Sequence, residues 1–161
     1  MKLLAILDGG IVIAKAWANA VQDATGWTDI SEWPFVNEGE NLSARILDVA
    51  RTAAVSRVER GYALAMQSGF TSSALGSPHW YASDGLAMSL LIGAVAAGTD
   101  RNYECTDGNR VRALRPHTAA QLKQVLNDGA ALAVQYKQRK SDKTRQINAA
   151  ATVDEVKAIV W

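Results

Sequence analysis

Two histidines and one cysteine are the side chains of this sequence best suited to nucleophilic or acid–base chemistry. One of them, His117, lies in the stretch RPHTAAQLKQV, residues 115–125. There Thr118 and Gln121 have the spacing of a capping box, in which each side chain hydrogen-bonds a free N–H at the start of a helix. A catalytic histidine needs a nucleophile or a carboxylate within hydrogen-bond reach, and the residues around His117 show only the helix-start pattern. The spacing therefore favours a helix start over an active site.

The alternative is a small Cys/His-dependent enzyme in which Cys105 and His117 converge in one pocket. Cysteines in predicted strands, however, are more often small buried hydrophobic residues. The other histidine, His79, is 38 positions from His117, and with a single cysteine the chain lacks the ligand set of a zinc site. No phosphate-binding glycine motif and no nucleophile-elbow motif occurs in the sequence. We therefore predict a protein that is not an enzyme, with no catalytic residue, no cofactor and no metal site.

The composition of the 161 residues, 48% hydrophobic and 20% charged, is typical of a globular chain with one core. A net charge of +1 predicts no general attraction to nucleic acid or to an anionic membrane. The longest apolar run, residues 85–98, is shorter than the ~20 residues of a transmembrane helix. The apolar run near the N-terminus, residues 3–7, is shorter than the core of a signal peptide, roughly 7–15 residues. We predict no membrane segment and no export signal.

Hydrophobic periodicity and turn residues predict an α+β fold with small antiparallel hairpins, two long helices and two shorter helices. Each hairpin is expected where turn residues separate two β-capable runs, and a tight turn makes the paired strands antiparallel. The expected hairpins are 2–7 with 11–17, the flanks of 76–78, and the flanks of Asp107 and Gly108. The expected helices are 43–67, 85–97 after Asp84, a long one from Thr118 through Ile147, and a short one capped by Thr152 and Glu155.

The N-terminal part is predicted to differ from the rest of the chain. Residues 1–42 read as a β-hairpin followed by an acidic linker that contains tryptophans, and residues 43–161 as one α+β domain. The tryptophans of this part either pack onto the main body or anchor a partner, since tryptophan is enriched at interfaces. They are Trp17, Trp27 and Trp33.

A basic run, residues 137–145, is the second candidate surface. It alternates as a solvated helix face does, whereas a nucleic-acid site would need aromatic residues or a groove-fitting element beside it. Its charge complements the acidic linker, either within one chain or across a protein interface. The candidate partner-binding residues are thus Trp17, Trp27, Trp33, Lys137, Arg139, Lys140 and Lys143.

Four phrases in one order resemble a domain family of tailed-bacteriophage tail proteins, whose members are often called tail fibre or tail fibre assembly proteins. They are HWYASD before an apolar helix, a strand ending in TDGNRV, RPHTAAQ at the start of a long helix, and a closing INAAATVDEVKAIVW. The resemblance covers about residues 50–161. It brings no catalytic residues to carry over.

The resemblance implies a non-enzymatic protein that binds the tail fibre or its baseplate attachment region, in the virion tail and in the host cytoplasm during assembly. The first alternative is a transient assembly chaperone that is absent from the mature virion. Self-association is left open, and no nucleic acid or membrane partner is expected.

Overall fold

The computed structural model describes residues 2–8, 10–17, 27–31, 37, 39 and 41–161. The predicted α+β class is confirmed, because the described residues form helices and two antiparallel sheets. The elements are β1 (Leu3–Asp8), β2 (Ile11–Trp17), β3 (Trp27–Asp29), α1 (Leu42–Gln67), β4 (Phe70–Ser72), β5 (His79–Tyr81), α2 (Gly85–Ala97), β6 (Arg101–Thr106), β7 (Arg112–His117), α3 (Ala119–Ala149) and α4 (Val153–Ala158).

The chain divides into two compact units, and the first combines residues 1–55 with 146–160. Its sheet has the order β2-β1-β3, and the predicted hairpin of β1 and β2 turns at Gly10, which has a φ of +85°. Residues 27–29, inside the predicted linker, form the third strand. The core of this unit is small and aliphatic: Leu3, Ala5, Val12, Ile30 and Leu42. The boundary predicted at residue 42 stays a prediction.

The second unit contains residues 56–145 and Trp161, and its sheet has the order β4-β5-β6-β7. Alternate residues of a strand point to opposite faces of its sheet. One face of this sheet packs against side chains of α2 and α3, and the other face is exposed. Strand β7 lies at an edge of the sheet and contains Pro116, which has no backbone N–H to donate. The core cluster is Phe70, Ala74, Tyr81, Leu91, Ala94, Cys105, Leu122 and Val125.

Helix α2 begins and ends as the sequence predicts. Oδ1 of Asp84 accepts hydrogen bonds from the backbone N–H groups of Leu86 and Ala87, both at 3.0 Å, which satisfies two free donors of the first turn. Gly98 follows the helix with a φ of +64°, a left-handed conformation that glycine adopts without steric penalty.

The predicted capping boxes are confirmed as well. The backbone N–H of Thr118 donates to Oε1 of Gln121 at 2.8 Å, and the N–H of Gln121 donates to Oγ1 of Thr118 at 3.2 Å. Thr152 and Glu155 make the same reciprocal pair at the start of α4. In each case the two side chains satisfy backbone donors that the helix itself leaves unpaired.

The turn between β6 and β7 forms where it was predicted, but the residue with positive φ is different. Gly108 has an ordinary φ, and Arg110 takes the left-handed value of +62°. The carboxylate of Asp107 accepts from the N–H groups of Asn109 and Val111, which closes a longer loop than an Asp-Gly turn. This local side-chain bonding replaces the tight two-residue turn.

In the described part of the chain no helix combines the length and the apolar run that a membrane crossing requires.

Candidate functional site

His117 is the last residue of β7 and is only 2% exposed. Its Nδ1 lies 2.8 Å from the carbonyl oxygen of Arg115. A carbonyl oxygen only accepts, so Nδ1 carries a proton. Nε2 lies 2.9 Å from the hydroxyl of Tyr81, which is its hydrogen-bond partner. Both ring nitrogens are therefore occupied by partners inside the protein.

The structure brings Cys105 close to His117, with Tyr81 as the connecting residue. The Tyr81 hydroxyl is a hydrogen-bond neighbour of the Cys105 thiol, and burial followed by this neighbour raises the pKa of Tyr81. Burial also raises the pKa of Cys105, against the smaller lowering effects of Arg115 and Tyr81. A buried thiol with a raised pKa holds its proton, whereas a nucleophilic cysteine needs a lowered pKa.

Tyr103 completes this group of rings. The ring of His117 makes edge contacts with Tyr81 and Tyr103, at centroid distances of 5.9 and 6.2 Å. The Tyr103 hydroxyl donates to the carbonyl of Ala87 at 3.1 Å, and burial raises the pKa of Tyr103. We call Tyr81, Tyr103, Cys105 and His117 the ring network. Its polar atoms are directed at each other or at the backbone, as buried polar groups require.

A partly buried polar pair, Ser72 with Asp128, was missed by sequence reasoning. Oγ of Ser72 donates to Oδ2 of Asp128 at 2.5 Å and accepts from the N–H of Ala74 at 3.2 Å. Ser72 and Asp128 are 56 residues apart, so no local spacing could have indicated the pair. His79 is also buried, and its Nδ1 lies 2.9 Å from the carbonyl oxygen of Ser77. Among the residues that the structure describes, no three His, Cys, Asp or Glu side chains gather to hold a metal ion.

Two of the four basic candidates have partners within their own unit. The guanidinium of Arg139 lies 4.9 Å from the ring centre of Trp161. Nζ of Lys140 lies 3.3 Å from a carboxylate oxygen of Glu59 and 5.2 Å from the ring centre of Tyr62. Such contacts hold these side chains on the surface of the protein itself. Of the other two, Lys137 is exposed and Lys143 is half-buried.

The tryptophan candidates are only partly visible. Trp27 begins β3 and is half-buried, which suits packing on its own sheet. Trp33 lies outside the described residues, and so does the side chain of Trp17. Trp161 contacts the rings of Tyr62 and Tyr136, at centroid distances of 6.1 and 6.3 Å.

A cleft with apolar walls lies between α2 and the β6–β7 hairpin of the second unit. Leu86 and Leu90 of α2, 72% and 60% exposed, line it together with Leu114 of β7, 68% exposed. The same cleft is lined by charged residues: Asp84, Arg101, and the ion pair of Glu104 with Arg112, joined at 2.5 Å. Apolar walls with a polar rim are the usual anatomy of a protein-binding surface.

The rest of the exposed surface of α2 is also apolar. The helix has no charged residue, and only Leu91 and Ala94 among its 13 residues are buried. Ile92 is 53% exposed. Oγ of Ser89 donates to the carbonyl of Gly85 at 2.8 Å, so the hydroxyl is already paired within the helix. Sequence reasoning identified this helix but not its exposure, because a helix that is apolar all round is normally buried.

No protein-family model, no curated protein and no solved structure matches this sequence. Two arrangements of the described residues bear on function. One is the closed ring network, and the other is the open cleft beside α2.

Proposed function

We propose that this protein is a non-enzymatic component of a bacteriophage tail that binds the tail fibre or its baseplate attachment region. The observation that carries the proposal is the cleft between α2 and the β6–β7 hairpin, whose leucines are exposed. The resemblance of residues about 50–161 to tail fibre and tail fibre assembly proteins supplies the biological setting. The cleft and the resemblance meet in the same segment of the chain.

The composition of the cleft favours a protein partner. Leu86, Leu90 and Leu114 form an apolar wall, and burying a leucine side chain contributes about 1.5–3 kcal/mol. The charged residues at its border fix the orientation of a partner more than they add affinity. A contiguous exposed apolar patch with a polar rim marks a protein interaction site in a soluble fold.

The ring network supports a role without catalysis. An enzyme using Cys105 and His117 would need a thiolate beside a free imidazole nitrogen. Here burial raises the pKa of Cys105, and Nε2 of His117 is occupied by Tyr81. We interpret the network as a structural element of the core.

The protein is proposed to stay bound to the fibre in the virion. The alternative is an assembly chaperone that acts in the host cytoplasm and leaves. Mass spectrometry of purified virions separates the two: peptides of this chain at a fixed ratio to the fibre protein support the first, and their absence establishes the second.

Co-expression with the tail fibre protein of the same phage tests the binding function. We expect a complex of fixed ratio, which Leu90→Glu and Leu114→Glu abolish because each places a charge in the apolar wall. Leu64→Glu is the matched control, since Leu64 is 70% exposed on α1 and does not line the cleft. Failure of the unaltered chain to co-purify with the fibre or with baseplate proteins would contradict the proposal. Equal loss of binding in all three variants would show that the cleft is not the binding surface.

A further inference from the structure

We propose that the surface formed by α1, α3 and Trp161 in the second unit binds single-stranded nucleic acid. The sequence alone predicts no such partner, because the net charge is only +1 and the basic run of residues 137–145 has one aromatic neighbour in sequence, Tyr136. The distribution of the charges and the positions of the rings supply what the sequence lacks. The surface shares no residue with the cleft beside α2, so its role is independent of the proposed function.

The positive charge of the chain is concentrated in the second unit. This unit has twelve Lys or Arg residues and seven Asp or Glu residues, a net charge of +5, so the rest of the chain carries −4. Such a charge asymmetry between two parts of a chain is one indication of a polyanionic partner. The basic run on α3 contributes five of the twelve cations.

The two acidic residues nearest the basic run are already paired. A carboxylate oxygen of Glu59 lies 3.3 Å from Nζ of Lys140, and Asp142 pairs with Arg145 on the same helix. Within the part of the chain that the structure describes, three basic residues of α1 and α3 form no ion pair: Arg57, Lys137 and Lys143. Their charges are therefore available to an anionic partner.

Three aromatic rings meet beside these cations, although they are far apart in sequence. Trp161 contacts Tyr62 of α1 and Tyr136 of α3, at centroid distances of 6.1 and 6.3 Å. Trp161 also lies directly on the backbone of α1, since a Cβ added at Gly61 would collide with its side chain. Each of the three rings is only half-buried. Aromatic side chains beside a basic surface are the combination on which single-stranded nucleic acid stacks.

Arg139 is the cation best placed to contact a base. Its guanidinium lies 4.9 Å from the ring centre of Trp161, and the residue is exposed. The ring holds the planar guanidinium in place, so less side-chain freedom is lost when a partner binds. Bases stack on arginine planes as they do on aromatic rings, and the edge of the same guanidinium donates to phosphate.

Further cations lie one helical turn from this position. Arg57 precedes Gly61 by four residues on α1, and Lys143 follows Arg139 by four residues on α3. Residues four apart are neighbours on one side of a helix. Phosphates on either side of a base stacked at Arg139 would therefore meet a positive charge.

The rings favour nucleic acid over other anionic partners. An acidic protein segment or an anionic lipid surface would use the charges alone, whereas every base has a flat face that stacks. A single strand is favoured over a duplex because its bases are free to leave their neighbours. We therefore expect binding with little sequence preference.

Fluorescence anisotropy of a labelled strand of about 20 thymidines measures binding by the full chain. We expect a saturable complex at low salt, whose log affinity falls with log salt at a slope of about −2 to −3, from about three or four neutralised phosphates. At about 0.1 M salt, Arg139→Gln and Lys137→Gln should each weaken binding about fivefold and make the slope shallower by about 0.7.

Lys123→Gln is the matched control, since Lys123 is an exposed lysine of the same helix outside the basic run. It changes the net charge equally and should bind as the unaltered chain does. Absence of binding by the unaltered chain at low salt overturns the inference, and so does an equal loss of affinity in Lys123→Gln and Lys137→Gln.

A strand of abasic sites with the same number of phosphates separates stacking from charge without altering the protein. It should bind at least about tenfold more weakly than the thymidine strand. Arg139→Lys keeps the charge and removes the plane, so it should weaken binding of the thymidine strand and leave that of the abasic strand unchanged. Equal affinity of the unaltered chain for the two strands, or equal competition by polyglutamate of matched charge, would assign the surface to an acidic partner and overturn the inference.

The fibre complex distinguishes this surface from the cleft. Arg139→Gln should still co-purify with the tail fibre protein, because Arg139 does not line the cleft. Loss of the fibre complex with unchanged binding of the thymidine strand would assign the surface to the fibre and overturn the inference. A chain that binds the strand but never the fibre supports the inference and removes only the proposed function.

Discussion

The buried face of the sheet β4–β7 and the exposed side of α2 belong to the same unit, yet their chemistry is opposite. The buried face carries titratable side chains, and each makes its hydrogen bonds inside the protein, as the bond from Tyr81 to His117 shows. The exposed side of α2 carries leucine, isoleucine and glycine next to solvent. The titratable side chains of the sheet face into the core, whereas apolar side chains of α2 are exposed to solvent.

This difference is the basis of the proposed binding function. A catalytic site exposes perturbed titratable groups to a substrate, whereas burial raises the pKa values of Tyr81 and Cys105 in the ring network. A binding surface exposes apolar area for a partner to cover, as α2 and its cleft do. Variants that break the ring network or alter the exposed side of α2 test this difference.

Breaking the ring network should give the largest loss of stability. His117→Ala removes a buried ring and leaves the Tyr81 hydroxyl without its hydrogen-bond partner, so we expect a loss of about 3 kcal/mol in the free energy of unfolding. Tyr81→Phe leaves Nε2 of His117 unpaired and should lose about 1–3 kcal/mol. Urea unfolding measures both, with Tyr62→Phe as the control at about 0.5 kcal/mol or less. If the double variant loses the sum of the single losses, the two residues do not interact as described.

Raising the pH should lower the free energy of unfolding through the ring network. Burial raises the pKa values of Tyr81, Tyr103 and Cys105 in the folded chain. The contribution of these groups to the free energy of unfolding is complete at pH values below their ordinary pKa values, which are near 9 for the thiol and 10 for the phenols. This contribution is lost as the pH rises above those values. The unfolding free energy should therefore fall by about 1.4 kcal/mol per pH unit for each such group that stays protonated only in the folded state. Urea midpoints between pH 8 and pH 11, about the range of interest, measure the slope.

Tyr81→Phe provides the comparison for this pH series. It removes one of the three titrating groups, so its stability should fall less steeply than that of the unaltered chain. Equal slopes in the two proteins would show that Tyr81 ionises as freely in the folded chain as in the unfolded one.

Two helical glycines should respond to the same substitution with opposite signs. A Cβ at Gly129 of α3 would lie 2.8 Å from Cζ of Phe70 in the core, whereas a Cβ at Gly93 of α2 meets nothing within 4 Å. We expect Gly129→Ala to destabilise by about 1–2 kcal/mol from overpacking. Gly93→Ala should stabilise by about 0.5–1 kcal/mol from helix propensity. Thermal unfolding at low protein concentration measures both changes in stability. Changes of the same sign would contradict the assignment of Gly129 as packed against the core and of Gly93 as facing open space.

The smallest change in stability is expected on the open side itself. Leu86→Glu and Leu90→Glu alter exposed side chains, so the unfolding free energy should change by about 0.5 kcal/mol or less. The same variants should lose binding to the fibre protein, which pull-down measures. A large loss of stability would mean that these leucines are core residues.

Sequence reasoning succeeded where a structure depends on neighbouring residues. Each helix cap joins residues no more than three positions apart, so spacing alone indicates it. The caps are Thr118 with Gln121, Asp84 before α2, and Thr152 with Glu155. The hairpins of β1–β2 and β6–β7 follow from turn residues between β-capable runs in the same way.

Sequence reasoning failed where a feature depends on contacts between residues that are far apart in the chain. The Tyr81–His117 bond spans 36 positions, and no periodicity reports which buried residues meet. Strand β3 has three residues, too few to show alternation, and pairs because β1 supplies an edge. The exposure of α2 is the least predictable feature, because its composition is that of a core helix.

Pro116 in the edge strand β7 affects folding as well as the finished structure. A free strand edge is a template on which another chain can form hydrogen bonds, and this is how many native sheets begin to aggregate. At Pro116 the template lacks one donor, because proline has no backbone N–H. The sheet therefore ends at β7, where the addition of a further strand would lack this hydrogen bond.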